Sequence, residues 1–233
     1  MAIKLISTKD AATNNGVKML VYGRAGVGKT TLCATAPNPI ILSAESGLLS
    51  LRGYDIPVIE IKTMQDLWDS YSYLTGSEGS KYETICLDSI SEIAEVVLAD
   101  NKKATKDPRQ AYGEMATQMQ EIVRAFRDLP RFNVYFSAKE EYIKDEFGVS
   151  RFGPSMPGRQ VGPAMPYFFD EVFRLDVGKD KEGKPFRYLA TQADIQYEAK
   201  DRSGCLDRFE APSLAHIINK IKNPNPTTEA TNG

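Results

Sequence analysis

The chain of 233 residues is poor in the residue types that build many catalytic and metal sites. It has one histidine, His216, and three cysteines at distant positions, Cys33, Cys86 and Cys205. At these spacings the single histidine forms neither a catalytic triad nor a metal site with the cysteines, and an odd number of cysteines argues against a disulfide framework. We therefore expect reduced cysteines and a structural histidine.

Long apolar runs and an excess of charge of one sign are also missing. No uninterrupted apolar stretch is long enough to span a membrane, and no apolar segment with a cleavage-like site follows Met1. The formal net charge is −2, so the overall charge does not attract nucleic acid. Any site for a polyanion must be a local basic patch, and we expect no membrane partner.

Short apolar segments alternate with helical patterns as far as residue 138. These segments are apolar throughout, which is typical of parallel strands covered on both faces. Two later strand patterns, 171–177 and 185–192, flank a Gly- and Lys-rich turn and predict an antiparallel hairpin. Residues 140–165 are rich in glycine and proline and predict a long functional loop.

The predicted fold class is therefore α/β, with a mostly parallel central sheet, helices on both faces and antiparallel strands added at the C-terminal side. We expect one core domain over residues 16–222, preceded by an N-terminal extension, 1–15. Residues 223–233 are rich in Pro, Thr and Asn without apolar periodicity, which predicts a disordered tail.

One motif indicates nucleotide chemistry. Residues 23–30 match G-x-x-x-x-G-K-[ST] between a predicted strand and a predicted helix, as in the phosphate-binding loop (P-loop) of nucleoside triphosphatases. In such loops backbone N–H groups surround the phosphates, the lysine reaches the β- and γ-phosphates, and the hydroxyl binds Mg²⁺. The cofactors expected are ATP and Mg²⁺, bound by Gly23, Arg24, Ala25, Gly26, Val27, Gly28, Lys29, Thr30 and Thr31.

Two acids follow predicted strands whose ends should meet the phosphates. Asp88 closes the strand pattern at 82–88 and is the candidate partner of Thr30 at the metal, although it or Ser89 could also cap the next helix. Glu45 follows the second strand, where spacing alone leaves a catalytic acid and a surface acid equally open.

The order of these motifs resembles the RecA-type core ATPases. In that family an Ala-Glu pair after the second strand supplies the catalytic glutamate, and an Asp-Ser pair closes the metal-binding strand. The resemblance implies Glu45 as general base beside Lys29, and Asp88 as Mg²⁺ partner. The family's γ-phosphate sensor is commonly Gln, whereas Lys139 or Glu140 occupies that position here.

The resemblance also implies two DNA-contacting loops. The first is basic and contains Lys102, Lys103, Lys106 and Arg109, and the second, 141–162, contains Arg151, Phe152 and Arg159. Cations and an aromatic ring suit single-stranded DNA. On charge alone, a solvated helix end and a mobile surface loop remain alternatives.

Lys200 and Arg202 correspond in order to the family's Lys-x-Lys pair, which reaches the γ-phosphate of a neighbouring subunit. The runs 162–165 (Gly-Pro-Ala-Met) and 199–202 (Ala-Lys-Asp-Arg) resemble those of the small phage proteins of the RecA-like single-strand annealing type. The resemblance implies a homo-oligomer, as ring or filament, with ATP at subunit interfaces, and DNA-stimulated hydrolysis that promotes annealing or recombination. It also implies a single-strand-binding protein as a partner and the cytoplasm of a bacterial host as the location.

Two other classes remain open at this point. One is a different P-loop protein, an AAA-type helicase loader or a small-molecule kinase. The other is a non-hydrolysing factor in which ATP only fixes an assembly interface.

Overall fold

The computed structural model of the chain describes residues 5, 7, 15–45, 48–144 and 148–224. Nearly all of the predicted N-terminal extension and of the predicted tail therefore lies outside the described residues. Within them are ten strands: β1 Lys18–Gly23, β2 Pro39–Ser43, β3 Val58–Glu60, β4 Thr84–Asp88, β5 Asn133–Lys144, β6 Ser150–Ser155, β7 Glu171–Lys179, β8 Pro185–Ala190, β9 Lys200–Asp201 and β10 Phe209–Glu210.

Six α-helices connect or follow these strands in the described ranges. They are α1 Lys29–Cys33, α2 Met64–Thr75, α3 Ile90–Ala104, α4 Pro108–Arg127, α5 Val161–Phe168 and α6 Leu214–Lys222. Local signals fix several starts: Thr63 and Asp66 form a capping box at α2, and Pro108 occupies the first turn of α4 after the N-cap residue Asp107.

The strands form one sheet in the order β10-β8-β7-β1-β5-β4-β2-β3, with β6 paired to β5 and β9 paired to β7. Six neighbours, from β7 to β3, are parallel, and β8, β10, β6 and β9 are antiparallel to their partners. The mostly parallel α/β fold with added antiparallel strands is thus confirmed. Parallel strands end at one edge, so this topology brings the segments after β1, β2, β4 and β5 together.

The central strands of the sheet are buried on both faces. Along β1, Leu20 and Tyr22 pack with residues of α2, α3 and α4, whereas Met19 and Val21 pack with residues of α1 and α6. Alternate side chains of a strand point to opposite faces, so a strand between two helical layers must be apolar at every position. This is why the first strands have no polar alternation.

The prediction of a long loop over residues 140–165 is wrong. β5 continues to Lys144, β6 returns antiparallel along it from Ser150 to Ser155, and α5 follows. Glycine and proline suggested irregular structure, but β6 is paired in a ladder only with β5, and an edge strand tolerates Pro154 because its outer N–H groups need no ladder partner.

Candidate nucleotide-binding site

The P-loop lies between β1 and α1, as the motif predicted. Gly26 and Gly28 have φ angles of 73° and 112°, which favour glycine, and Gly28 directly precedes the helix. Lys29 Nζ donates to the carbonyl oxygens of Gly23 and Arg24 at 2.8 and 3.0 Å. Burial lowers the pKa of Lys29, while the nearby carboxylates of Asp88 and Glu45 raise it. The lysine is therefore held over the loop, close to two acids.

Asp88 and Thr30 meet at the predicted metal position. Thr30 Oγ1 donates to Asp88 Oδ2 at 2.7 Å, and Ser137 of β5 donates to Asp88 Oδ1. Asp88 is 1% exposed, so these two hydroxyls account for its burial. The cap of α3 is instead Ser89, whose hydroxyl accepts from the N–H of Glu92 at 3.4 Å.

The donor set fits Mg²⁺. A threonine hydroxyl and a carboxylate are hard oxygen ligands, which Mg²⁺ prefers, and this ion usually takes only one or two carboxylates together with phosphate and water. The described part of the chain contains no cluster of three or more Cys, His, Asp or Glu able to hold a metal by themselves. Thr30 and Asp88 would hold the ion, which neutralises charge on the phosphates.

Glu45 lies two residues after the end of β2 and lines the same cleft as the P-loop. Ser89 Oγ donates to Glu45 Oε1 at 2.9 Å, and Ser43 Oγ donates to the carbonyl of Glu45 at 3.0 Å. The strand order places the β2 end one strand beyond Asp88. The carboxylate is therefore oriented by a neighbour and faces the place where phosphates would bind.

Both sensor candidates line this cleft, which has a volume of about 790 Å³ and thus suits a nucleotide. Lys139 forms an ion pair with Glu92 of α3, and that hydrogen bond raises the pKa of Lys139. Glu140 is directed to a different partner, since it pairs with the buried Arg174 of β7 at 2.6 Å.

Arg174 extends this contact towards the P-loop. Its Nη1 lies 2.9 Å from Asp176 Oδ2, and Asp176 Oδ1 accepts from Arg24 of the P-loop at 3.0 Å. Four alternating charges thus connect the sensor position on β5 to the loop. The sequence reasoning missed Arg174, Asp176 and Glu92, because only the sheet order brings β7 and α3 to the cleft.

A further cation at the cleft was also missed. Arg187 of β8 lies against Gly28, and its position depends on the antiparallel pairing Val177↔Arg187, two strands away from β1. The sequence offered one weak signal, an arginine inside a strand pattern whose neighbours are aromatic or apolar.

The predicted DNA-contacting residues fall into two groups. Lys102 and Lys103 occupy the last turn of α3, Lys106 precedes the N-cap residue of α4, and Arg109 lies in the first turn of α4. The basic segment is therefore two helix ends with residues 105–107 between them, rather than a long loop, because the helical pattern continues to Ala104.

Arg109 and Arg159 come together although they are distant in the sequence. Both line one groove of about 490 Å³ between α4 and the segment after β6, together with Tyr112. The Tyr112 ring is 40% exposed, and Lys102 Nζ lies 5.4 Å from its centroid. We name this site the Tyr112 groove.

Arg151 and Phe152 are outside the Tyr112 groove, on β6. The Phe152 ring packs 4.5 Å from the Arg174 guanidinium and 4.9 Å from the Tyr142 ring, and its half-buried position belongs to the core. Arg151 pairs with Glu198 at 3.3 Å and lines a separate cavity that also contains Lys200. The prediction that Phe152 lies on a loop is wrong, because Phe152 belongs to the β5–β6 hairpin, which turns its ring inward.

Lys200 and Arg202 lie away from the P-loop of their own chain. β9 pairs with β7 at Glu171 and Val172, with Lys200 opposite Val172, whereas Gly23 lies beside Leu175, about 10 Å further along the strand. Lys200 Nζ donates to the carbonyl of Pro166 at 2.6 Å, and Arg202 pairs with Asp170 at 3.0 Å. The fold does not bring them to the nucleotide cleft of the same chain.

A protein-family model described as an AAA domain matches residues 15–203, which is most of the chain. The chain belongs to the AAA domain family. Membership agrees with the P-loop geometry and makes this a P-loop ATPase in general terms, with nucleotide binding that is usually accompanied by Mg²⁺. No curated protein matches the chain. No helix in the described ranges is long and apolar enough to cross a membrane.

Proposed function

We propose that this AAA-domain protein is a RecA-like ATPase that hydrolyses ATP with Mg²⁺ and binds single-stranded DNA. The observation that carries the DNA part is the Tyr112 groove. It combines Arg109 from the first predicted DNA segment and Arg159 from the second with the partly exposed Tyr112.

The chemistry of hydrolysis follows from the oriented carboxylate. In the proposed reaction water attacks the γ-phosphorus while the bond from that phosphorus to the β–γ bridging oxygen breaks and ADP leaves. Glu45 accepts the proton of the water, and Ser89 keeps the carboxylate in place. Lys29 exchanges its carbonyl partners for phosphate oxygens and neutralises their charge. Lys139, already beside Glu92, is the residue proposed to sense the γ-phosphate.

The groove suits a nucleic acid strand for two physical reasons. Its arginines can pair with phosphates, and the exposed part of the Tyr112 ring offers a surface on which a base can stack. The net charge of the chain is −2, so binding depends on this local patch. The ion pair of Arg151 with Glu198 and the inward position of Phe152 leave both outside the proposed contact.

We also propose a homo-oligomer, as ring or filament, in which Lys200 and Arg202 act on the nucleotide of the neighbouring subunit. Their distance from their own P-loop supports a role between subunits and not within one. By resemblance to the small phage annealing proteins, the activity would be annealing or recombination in the bacterial host cytoplasm, with a single-strand-binding protein as partner.

The DNA proposal is tested by fluorescence anisotropy with a labelled oligothymidylate and by ATPase rates with and without that DNA. Base stacking contributes about 1–3 kcal/mol, so Tyr112→Ala should weaken binding about tenfold or more. Arg109→Gln with Arg159→Gln should lower the slope of log binding constant against log salt concentration by about 1.4, because each phosphate contact with a single strand contributes about 0.7.

The matched control is Lys181→Gln with Lys184→Gln, which removes the same charge from the exposed turn between β7 and β8. This control should bind DNA much as the unmodified chain does. Equal losses in the groove variant and the control would show only a general charge effect and would refute the groove. A chain that binds no oligonucleotide with saturating ATP would refute the DNA part altogether.

A further inference from the structure

Arg187 lies against the phosphate-binding loop from a neighbouring part of the sheet. A Cβ atom built on Gly28 would be 3.2 Å from Arg187 Nε and 3.4 Å from its Cδ. Strand alternation puts Arg187 on the same face of β8 as the buried core residue Leu189, whereas Phe186 and Tyr188 point to the other face. The position of the arginine is therefore set by the sheet.

Among the described residues, Arg187 also differs from the other cations of the cleft in having no hydrogen-bond or ion-pair partner. Arg24 pairs with Asp176, Lys139 pairs with Glu92, and Lys29 donates to two carbonyls. Across the described ranges, no hydrogen bond or ion pair involves the exposed Arg187 side chain. A guanidinium beside a phosphate loop, without a carboxylate to neutralise it, is available to an anionic ligand.

We propose that Arg187 binds the α- and β-phosphates of a nucleotide held by its own subunit. This assignment rests on the proposed nucleotide site. It follows from the place of contact, because the backbone N–H groups of the loop surround the α- and β-phosphates, and Arg187 lies against Gly28 of that loop. The guanidinium offers several donors in a planar fork that matches phosphate oxygens.

The assignment has a kinetic signature. ATP and ADP both carry the α- and β-phosphates, so loss of Arg187 should weaken both by the same factor. An interaction that is equal in the ground state and the transition state changes KM and leaves kcat nearly unchanged. A γ-phosphate contact would instead weaken ATP alone and lower kcat.

The test measures Kd for ATP and for ADP by titration calorimetry, with kcat and KM from phosphate release. A charge-assisted hydrogen bond predicts that Arg187→Gln weakens both nucleotides about tenfold, with kcat changed by about twofold at most. Arg187→Lys keeps the charge without the fork, so its affinities should fall between those of Arg187→Gln and the unmodified chain.

The matched control is Arg208→Gln, an equal loss of charge beside β10, which pairs with β8. Its nucleotide affinities should equal those of the unmodified chain. Unchanged affinities in Arg187→Gln would overturn the role of Arg187 but not the nucleotide site. A loss of affinity confined to ATP, together with a fall in kcat, would do the same. If Lys29→Ala bound nucleotide as tightly as the unmodified chain, the proposed nucleotide site would fail, and the role of Arg187 with it.

Discussion

Gly28→Ala is a direct test of the P-loop backbone. Gly28 has φ 112° and ψ 23°, a conformation that residues with a Cβ atom rarely adopt. The added Cβ would also lie 3.0 Å from Thr31 Oγ1 and 3.2 Å from Arg187 Nε. Either neighbour would have to move by a few tenths of an ångström.

The loss of stability follows from the backbone conformation of Gly28 and from this crowding. A residue in a sparsely populated backbone region is destabilised by about 1–3 kcal/mol, and crowding of Thr31 adds to the upper end. We expect Gly28→Ala to lower the free energy of unfolding by about 2–3 kcal/mol, which lowers Tm by about 6 °C for a domain of this size.

Two other glycines are matched controls. Gly26 has φ 73° with nothing within 4 Å of an added Cβ, so Gly26→Ala should cost only about 1 kcal/mol. Gly53 has neither a left-handed φ nor a neighbour within 4 Å, so Gly53→Ala should lie within about 0.5 kcal/mol of the unmodified chain. Urea and thermal unfolding without nucleotide rank the stabilities of the three variants. A Gly28→Ala chain as stable as Gly53→Ala would refute the loop geometry.

Three further predictions concern stability. Burial raises the pKa of Glu171 from 4.5 to about 8. Between these pH values the folded chain holds a proton that the unfolded chain has released, so the free energy of unfolding should fall as pH rises from 4.5 to about 8. Glu171→Gln should flatten this slope in urea titrations at stepped pH, and an unchanged slope would contradict the protonated carboxyl. Burial lowers the pKa of Lys18 from 10.5 to about 8, so here the unfolded chain holds the extra proton and stability should rise between those values. Lys18→Met should remove that rise, and an equal rise in both chains would exclude Lys18 as its source. Gly113 lies within α4, with nothing within 4 Å of an added Cβ atom. Gly113→Ala should therefore raise the free energy of unfolding by about 0.5–1 kcal/mol. A lower Tm in this variant would contradict the open helix position.

The local parts of the fold and site could be predicted from the sequence. The P-loop motif, the apolar strands and the acids at their ends are each encoded within a few residues. Glu45 and Asp88 lie where their motif order predicted, because parallel strands must end at one edge of the sheet.

What could not be predicted depends on which strands become neighbours. Arg187 reaches Gly28 only because β8 pairs with β7 and β7 pairs with β1. The β5–β6 hairpin was missed for a different reason, since glycine and proline signal a turn equally well in a loop and in an edge strand. Phe152 followed that error, because a ladder register decides which face a ring occupies.

The most direct measurement is the rate of phosphate release from saturating MgATP in a single turnover, for the unmodified chain and for Glu45→Gln. Loss of a general base predicts a rate lower by about 10²–10⁴-fold, while the Kd for ATP stays the same. Glu114→Gln, which changes an exposed acid of α4, should leave the rate unaltered. Equal rates in the Glu45→Gln and unmodified chains, or no phosphate release from the unmodified chain, would contradict ATP hydrolysis with Glu45 as the base.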